Sequence, residues 1–167
     1  MEVAEARNYL AKSLANLARL HSDRKDWSGA RQHMDQGLRA IEAARQAVPL
    51  NAEYARIHHL ALVSSLDLAR NAGDTTGLAR GAASLVKAFA NDKDDAYLAA
   101  RATAHAAALA GKDAAAEKFA AQAVLYLRGA VRLGFKDAER IQKDPDLAPL
   151  RTRPDFQAIV RELDPKP

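Results

Sequence analysis

Hydrophobic positions recur along the chain in steps of three and four, the spacing of an amphipathic helix. Val3, Ala6, Leu10, Leu14, Leu17 and Leu20 open the series, and a polar break at Ser22–Asp26 closes it. Trp27, Ala30, Met34, Leu38, Ile41, Ala44 and Val48 form a second helical face. Pro49 ends it, because the residue before proline is driven out of helical geometry. Asn51 is placed to cap a third helix bearing Tyr54, Ile57, Ala61, Leu62, Leu66 and Ala69. Asn71-Ala72-Gly73-Asp74 reads as a stop, with Thr75-Thr76 as the next cap. Leu78, Ala82, Leu85, Val86 and Phe89 then mark a short fourth helix. After the break at residues 91–94, an alanine-dense fifth helix runs from about Asp95 to Ala110.

Gly111-Lys112-Asp113 makes a turn. The sixth helix buries Phe119, Ala120, Ala123, Val124, Leu127, Ala130 and Val131, with Gly134 at its C-terminal cap. A short helix or turn follows from Asp137 to about Gln142. The prolines of Asp144-Pro145-Asp146 and Ala148-Pro149 predict irregular chain. Pro154 suits the first turn of a last helix carrying Phe156, Ile159, Val160 and Leu163, ended by Asp164-Pro165. Nothing alternates with period two, so the expected fold is all-α, with seven or eight helices and antiparallel sequential neighbours.

Composition sharpens this picture. The chain has 167 residues, of which 39 are alanine and only 5% aromatic. Alanine carries the lowest helix cost, whereas strands favour branched and aromatic residues. Between residues 96 and 123, 15 of 28 residues are alanine, which predicts close helix packing there.

Three helix pairs emerge, at about 3–48, 52–90 and 95–133. Leu14, Leu17, Ala18, Trp27, Ala30, Met34, Gly37 and Leu38 resemble the tetratricopeptide repeat pattern, in which small residues let paired helices approach. The phrase LANLARLHSDRKDWSGARQHMDQGLRAIEAA is similar to the longer variety of that repeat. The second pair matches through Gly73-Asp74, Ala82 and Val86, with Phe89 departing from the expected small residue. The third matches through Gly111-Lys112-Asp113, Ala116, Ala120 and Ala123.

The stretch AVLYLRGAVRLGFKDAERIQKDPDLAPLRTRPDFQAIVREL resembles the closing segment of repeat arrays in bacterial, particularly planctomycete, proteins. Many arrays in that family follow a serine/threonine protein kinase domain. The resemblance implies a right-handed α-α superhelix of about three helical hairpins over residues 1–134, with a capping segment over 135–167. A cap covers the apolar face that stacked repeats leave open. In it Asp144 and Asp146 are expected to cap turn amides, and Arg151 or Arg153 to pair with acids.

The chemistry-bearing residues do not assemble into a catalytic or metal site. With no cysteine, thiolate metal sites and cysteine nucleophiles are excluded. His21, His33, His58, His59 and His105 show no ligand spacing. The glycine-rich loop, HRD-like loop and DFG of a kinase are missing, as is a GxSxG elbow. The expectation is therefore a non-enzyme without cofactor or metal. A net charge of +4 and a pI near 9.5 come from interleaved signs rather than a basic face, so no specific nucleic-acid partner is expected. No run of 18 apolar residues exists to span a membrane, and the start lacks a signal-peptide core, which points to the cytoplasm.

What the repeat resemblance implies is binding. The first helix of each pair would line a concave groove, with Lys12, Asn16 and Arg19 facing it from the first pair. Ser64 and Asp67 would do so from the second, and Arg101 and His105 from the third. Lysine, asparagine and arginine suit a peptide carboxylate or acidic side chain. The expected function is a protein–protein interaction module, with a structural homo-oligomerisation domain as the alternative.

Overall fold

The computed structural model describes residues 2–164, all of whose regular elements are helical. Pro165, expected to end the last helix, lies outside the described residues. The chain divides into two compact units, Met1–Ala72 and Gly73–Pro167. The division falls within the sequence-defined pair 52–90.

The first unit contains α1 (Glu2–Asp23), α2 (Trp27–Ala47) and α3 (Ala52–Asn71). Asp26 starts α2: its Oδ1 accepts from the Gly29 amide at 3.0 Å, and its Oδ2 lies 2.6 Å from His21 Nδ1. Both contacts favour the ionised carboxylate, the Gly29 amide most, and hold Asp26 below the usual carboxylate range. Asn51 caps α3 as its position predicts, accepting from the Tyr54 amide at 3.1 Å. α2 packs against both α1 and α3. Ala30, Met34, Gly37, Ile41 and Ala44 are buried on α2, and Tyr54, His58, Ala61, Leu62, Leu66 and Ala69 on α3. Gly37 lets α1 and α2 approach closely. A Cβ there would stand 3.3 Å from the Ala11 carbonyl oxygen and 3.4 Å from Leu14 Cβ.

α1 departs from expectation. Its buried residues are Ala4, Asn8, Ala11, Leu14 and Ala18. Val3, Leu10, Leu17 and Leu20, which the leucine periodicity places in the core, are 66%, 52%, 41% and 46% exposed. Gly37 faces the Ala11–Leu14 side of α1, where the lack of a Cβ leaves room for the Ala11 backbone and the Leu14 side chain. α1 has two apolar faces, and it turns inward the one that carries Ala4, Ala11, Leu14 and Ala18.

The second unit contains α4 (Thr75–Ala88), α5 (Lys93–Ala110), α6 (Ala114–Arg132), α7 (Ala138–Lys143), a 3-10 helix (Pro145–Leu150) and α8 (Pro154–Leu163). Asp74, rather than Thr75 or Thr76, caps α4, accepting from the Gly77 amide at 2.8 Å. Asp92 caps α5 by accepting from the Asp94 and Asp95 amides, so the helix begins two residues earlier than expected. α6 ends in a Schellman motif: the Gly134 amide donates to Val131 O and the Phe135 amide to Ala130 O, both at 2.9 Å. Gly134 has φ +98°, a conformation costly for any residue with a Cβ.

α5 packs against α4, α6 and the 3-10 helix, and ten of its 18 residues are buried. Residues 145–150, expected to be irregular, form 3-10 turns begun by Pro145, a helix type tolerant of proline at its start. Leu147 and Leu150 from this segment join Tyr97, Leu127, Phe135, Ile141, Phe156 and Ile159 in one core.

Candidate functional site

Two surfaces and one polar cluster carry the candidate residues. On α1, Lys12, Asn16 and Arg19 follow one another in steps of four and three and share one strip. Lys12 Nζ reaches Glu53 Oε1 of α3 at 3.1 Å. Glu53 also takes two bonds from Arg56, at 2.9 and 3.0 Å. Arg56 first, then Lys12, lowers the Glu53 carboxyl to about 2. Arg19 Nη1 pairs with Asp23 Oδ2 at 3.2 Å, with both side chains largely in water. Asn16 is exposed. Beside this strip stand the apolar side chains of Val3, Leu10, Leu17 and Leu20, and Tyr9, 58% exposed. Ser64 and Asp67 lie one turn apart on α3, both exposed.

Arg101 and His105 sit one turn apart on α5 and face the segment that begins at Asp144. Arg101 Nη2 donates to Asp146 Oδ2 at 2.8 Å. Its Nε stands 2.9 Å from Asp144 Oδ2 without the alignment of a hydrogen bond. His105 Nδ1 lies 3.7 Å from Asp146 Oδ1. Tyr97 OH donates to Asp144 Oδ2 at 2.7 Å. Burial, then this bond to an anion, raises the Tyr97 hydroxyl well above its ordinary value. Asp144 Oδ1 accepts from the Asp146 amide at 2.9 Å, the turn-capping role expected of it. Arg151 Nη2 donates to the Asp144 carbonyl oxygen at 3.2 Å. Both aspartates are nine-tenths buried, so their charges need these partners. The ring of Tyr97 stacks on Phe135 at 4.3 Å, and the Arg140 guanidinium lies 4.9 Å from the Tyr97 ring centre. This cluster latches α5 to the segment after α7.

Arg153 is tied in the same way. Its Nη1 meets both carboxylate oxygens of Glu117 at 2.7 Å, and its Nε and Nη2 meet Asp155 at 3.0 Å. Asp155 first, then Glu117, holds its guanidinium protonated still more firmly than usual. Arg151 instead borders a cavity of about 710 Å³, lined also by Gln142, Phe156, Gln157, Val160, Arg161 and Asp164. The sequence gives no sign of this cavity, because its residues come from two separate helices, α7 and α8, and the turn residues Arg151 and Asp164.

Among the described residues, no three His, Asp or Glu side chains are placed to hold a metal ion, and no helix is long and apolar enough to cross a membrane. No protein-family model, curated protein or solved structure matches the chain.

The residues that the sequence reading misses as a surface are Val3, Leu10, Leu17 and Leu20. Their signal was present: with Ala6 and Ser13 they alternate in three- and four-residue steps, the seam spacing of two helices packed along their length.

Proposed function

We propose that the chain is a non-catalytic protein–protein interaction module of the tetratricopeptide type, whose recognition surface is the outer face of α1. The observation that carries this reading is the division of α1 into two apolar faces. Ala4, Ala11, Leu14 and Ala18 are buried on one face, while Val3, Leu10, Leu17 and Leu20 are exposed on the other. An exposed apolar patch bordered by polar side chains is the mark of a protein contact surface. Lys12, Asn16 and Arg19 form that border, and they supply donors for an acidic flank on a partner.

The finer parts of the reading rest on the residues quoted for the resemblance. These are the right-handed superhelix, the bacterial kinase association and the cytoplasmic setting. The close approach at Gly37 supports a repeat-type hairpin, since Gly37 occupies one of the pattern's small positions. The latch around Asp144 supports the capping role of the C-terminal segment, because it fastens that segment to α5 through buried charges.

Titration with a labelled amphipathic helical peptide bearing acidic flanks tests the surface. Exchanging Leu10 and Leu17 for serine removes apolar contact, so binding is expected to weaken by about tenfold or more. Asn16→Ala with Arg19→Ala is expected to weaken it by about two- to fivefold, as exposed polar contacts contribute less. Equal affinities for all three proteins would remove α1 as the site.

A further inference from the structure

The outer stripe of α1 has a regular order. Val3, Ala6, Leu10, Ser13, Leu17 and Leu20 follow in steps of three, four, three, four and three, and all six are exposed. This is the heptad seam of one helix lying along another, each side chain set into a hole on its partner. The stripe runs most of the length of α1, a helix of about 33 Å.

Side-chain size indicates which helix fits. Set two copies of α1 antiparallel, centred between Leu10 and Ser13. Leu10 then meets the second copy's Ser13, Leu17 meets its Ala6, and Leu20 meets its Val3. In four of the six layers a leucine thus faces serine or alanine, and those small residues let the helices close. Parallel copies would instead stack serine on serine and alanine on alanine, leaving slots in two layers that forfeit contact.

Charge agrees with the antiparallel arrangement. The first turn of α1 carries Glu2 and Glu5, while its far end carries Arg19, paired with Asp23, and is followed by the exposed Arg24 and Lys25. Antiparallel pairing sets each acidic end beside the other copy's basic end and opposes the two helix dipoles. Parallel pairing sets like ends together.

We propose that a second copy of this chain covers the stripe, through an antiparallel α1–α1 pair. The proposal rests on the reading of α1's outer face as a recognition surface and names the partner of that surface. A seam of three heptads is at the small end of specific interfaces, so the dimer is expected to form in the micromolar range.

Sedimentation equilibrium from low micromolar to submillimolar concentration is expected to show monomer passing to dimer. The Leu10→Glu, Leu17→Glu variant is expected to stay monomeric throughout, with unchanged helical circular dichroism. The lack of native cysteine allows orientation to be read separately. When Leu10→Cys and Ser13→Cys chains are mixed and oxidised, the mixed disulfide is expected to dominate. Predominant Leu10→Cys homodimers would overturn the antiparallel pair.

A wild-type chain that is monomeric at every concentration would overturn self-pairing. If that monomer still bound a helical peptide through α1, only the second copy would be refuted. If it bound neither, the recognition surface would fall as well. A monomer that sedimented with phosphatidylglycerol vesicles would assign the stripe to lipid and overturn the proposal.

Discussion

α1 and α5 are both rich in alanine, yet they occupy opposite environments. Five of the 22 residues of α1 are buried, against ten of 18 in α5. On α1 one face, with Ala4, Ala11, Leu14 and Ala18, is buried, and Val3, Leu10, Leu17 and Leu20 are left outside. On α5 small residues occupy nearly the whole circumference, so neighbours close in from several sides. Alanine therefore marks where another helix comes near and says nothing of how many do. What separates the two helices is the source of their partners. α1 meets α2 across a three-residue turn, whereas α5 is also held by a charged segment more than 40 positions further along.

The strongest way to break this contrast is to remove the latch. Asp144→Ala takes the acceptor from Tyr97 OH, the nearest anion from Arg101 Nε and the cap from the Asp146 amide. A buried pair broken from one side is expected to cost about 3 kcal/mol or more, read as a lower urea midpoint by circular dichroism. No shift would mean that α5 is held by packing alone.

The corresponding change in the first unit is Gly37→Leu, which forces a large side chain against the Ala11 carbonyl. It is expected to cost about 2 kcal/mol through overpacking. Trp27, the chain's single tryptophan, lies at the start of α2 and reports the loss by fluorescence. An unchanged midpoint would show that α1 and α2 have room to spare.

A smaller effect follows from His58, which is buried on α3. Burial, then the Arg45 guanidinium 3.2 Å from its Nδ1, lowers its pKa below 6.5. The unfolded chain therefore takes up the proton first as pH falls. The stabilisation is complete above pH 6.5 and is lost as pH falls through the lower folded value. Melting temperature by Trp27 fluorescence should fall over that window, and the slope should vanish in His58→Gln. A slope that survives the substitution would place the sensitivity elsewhere.

Least of all is expected from Arg19→Ala. Its partner Asp23 is one turn away and both are largely hydrated, so stability should change by no more than about 0.5 kcal/mol. A larger loss would show that the outer strip of α1 is structural.

Much of the fold is legible in the sequence because helix ends carry local chemistry. Asn51 and Gly134 act where their residue types predict, through bonds within five positions, and Pro154 opens α8 through its fixed φ. The buried faces of α2, α3 and α6 follow because each has a single apolar face. α1 defeats the same reasoning. Both its faces repeat every seven residues, Ala4, Ala11 and Ala18 on one and Val3, Leu10 and Leu17 on the other. Periodicity cannot choose between them, and the choice falls to Gly37 on another helix. Lys12, Asn16 and Arg19 share one strip whichever face is buried, because their steps of four and three alone fix a common side. The engagement of Arg101 and His105 with Asp144 and Asp146 spans too many residues for spacing to reveal.

The latch also has a consequence in time. Tyr97 and its acceptor Asp144 are 47 positions apart. At synthesis rates of about 5–20 residues per second, Tyr97 leaves the ribosome roughly 2–10 s before Asp144 does. Helix–turn–helix contacts such as α1 on α2 form in far less time. The nascent chain therefore passes through a stage in which α5 has formed while the side destined for Leu147 and Leu150 is bare. Any chaperone that attends this protein would find its binding opportunity there, in the seconds before the KDPDL stretch arrives.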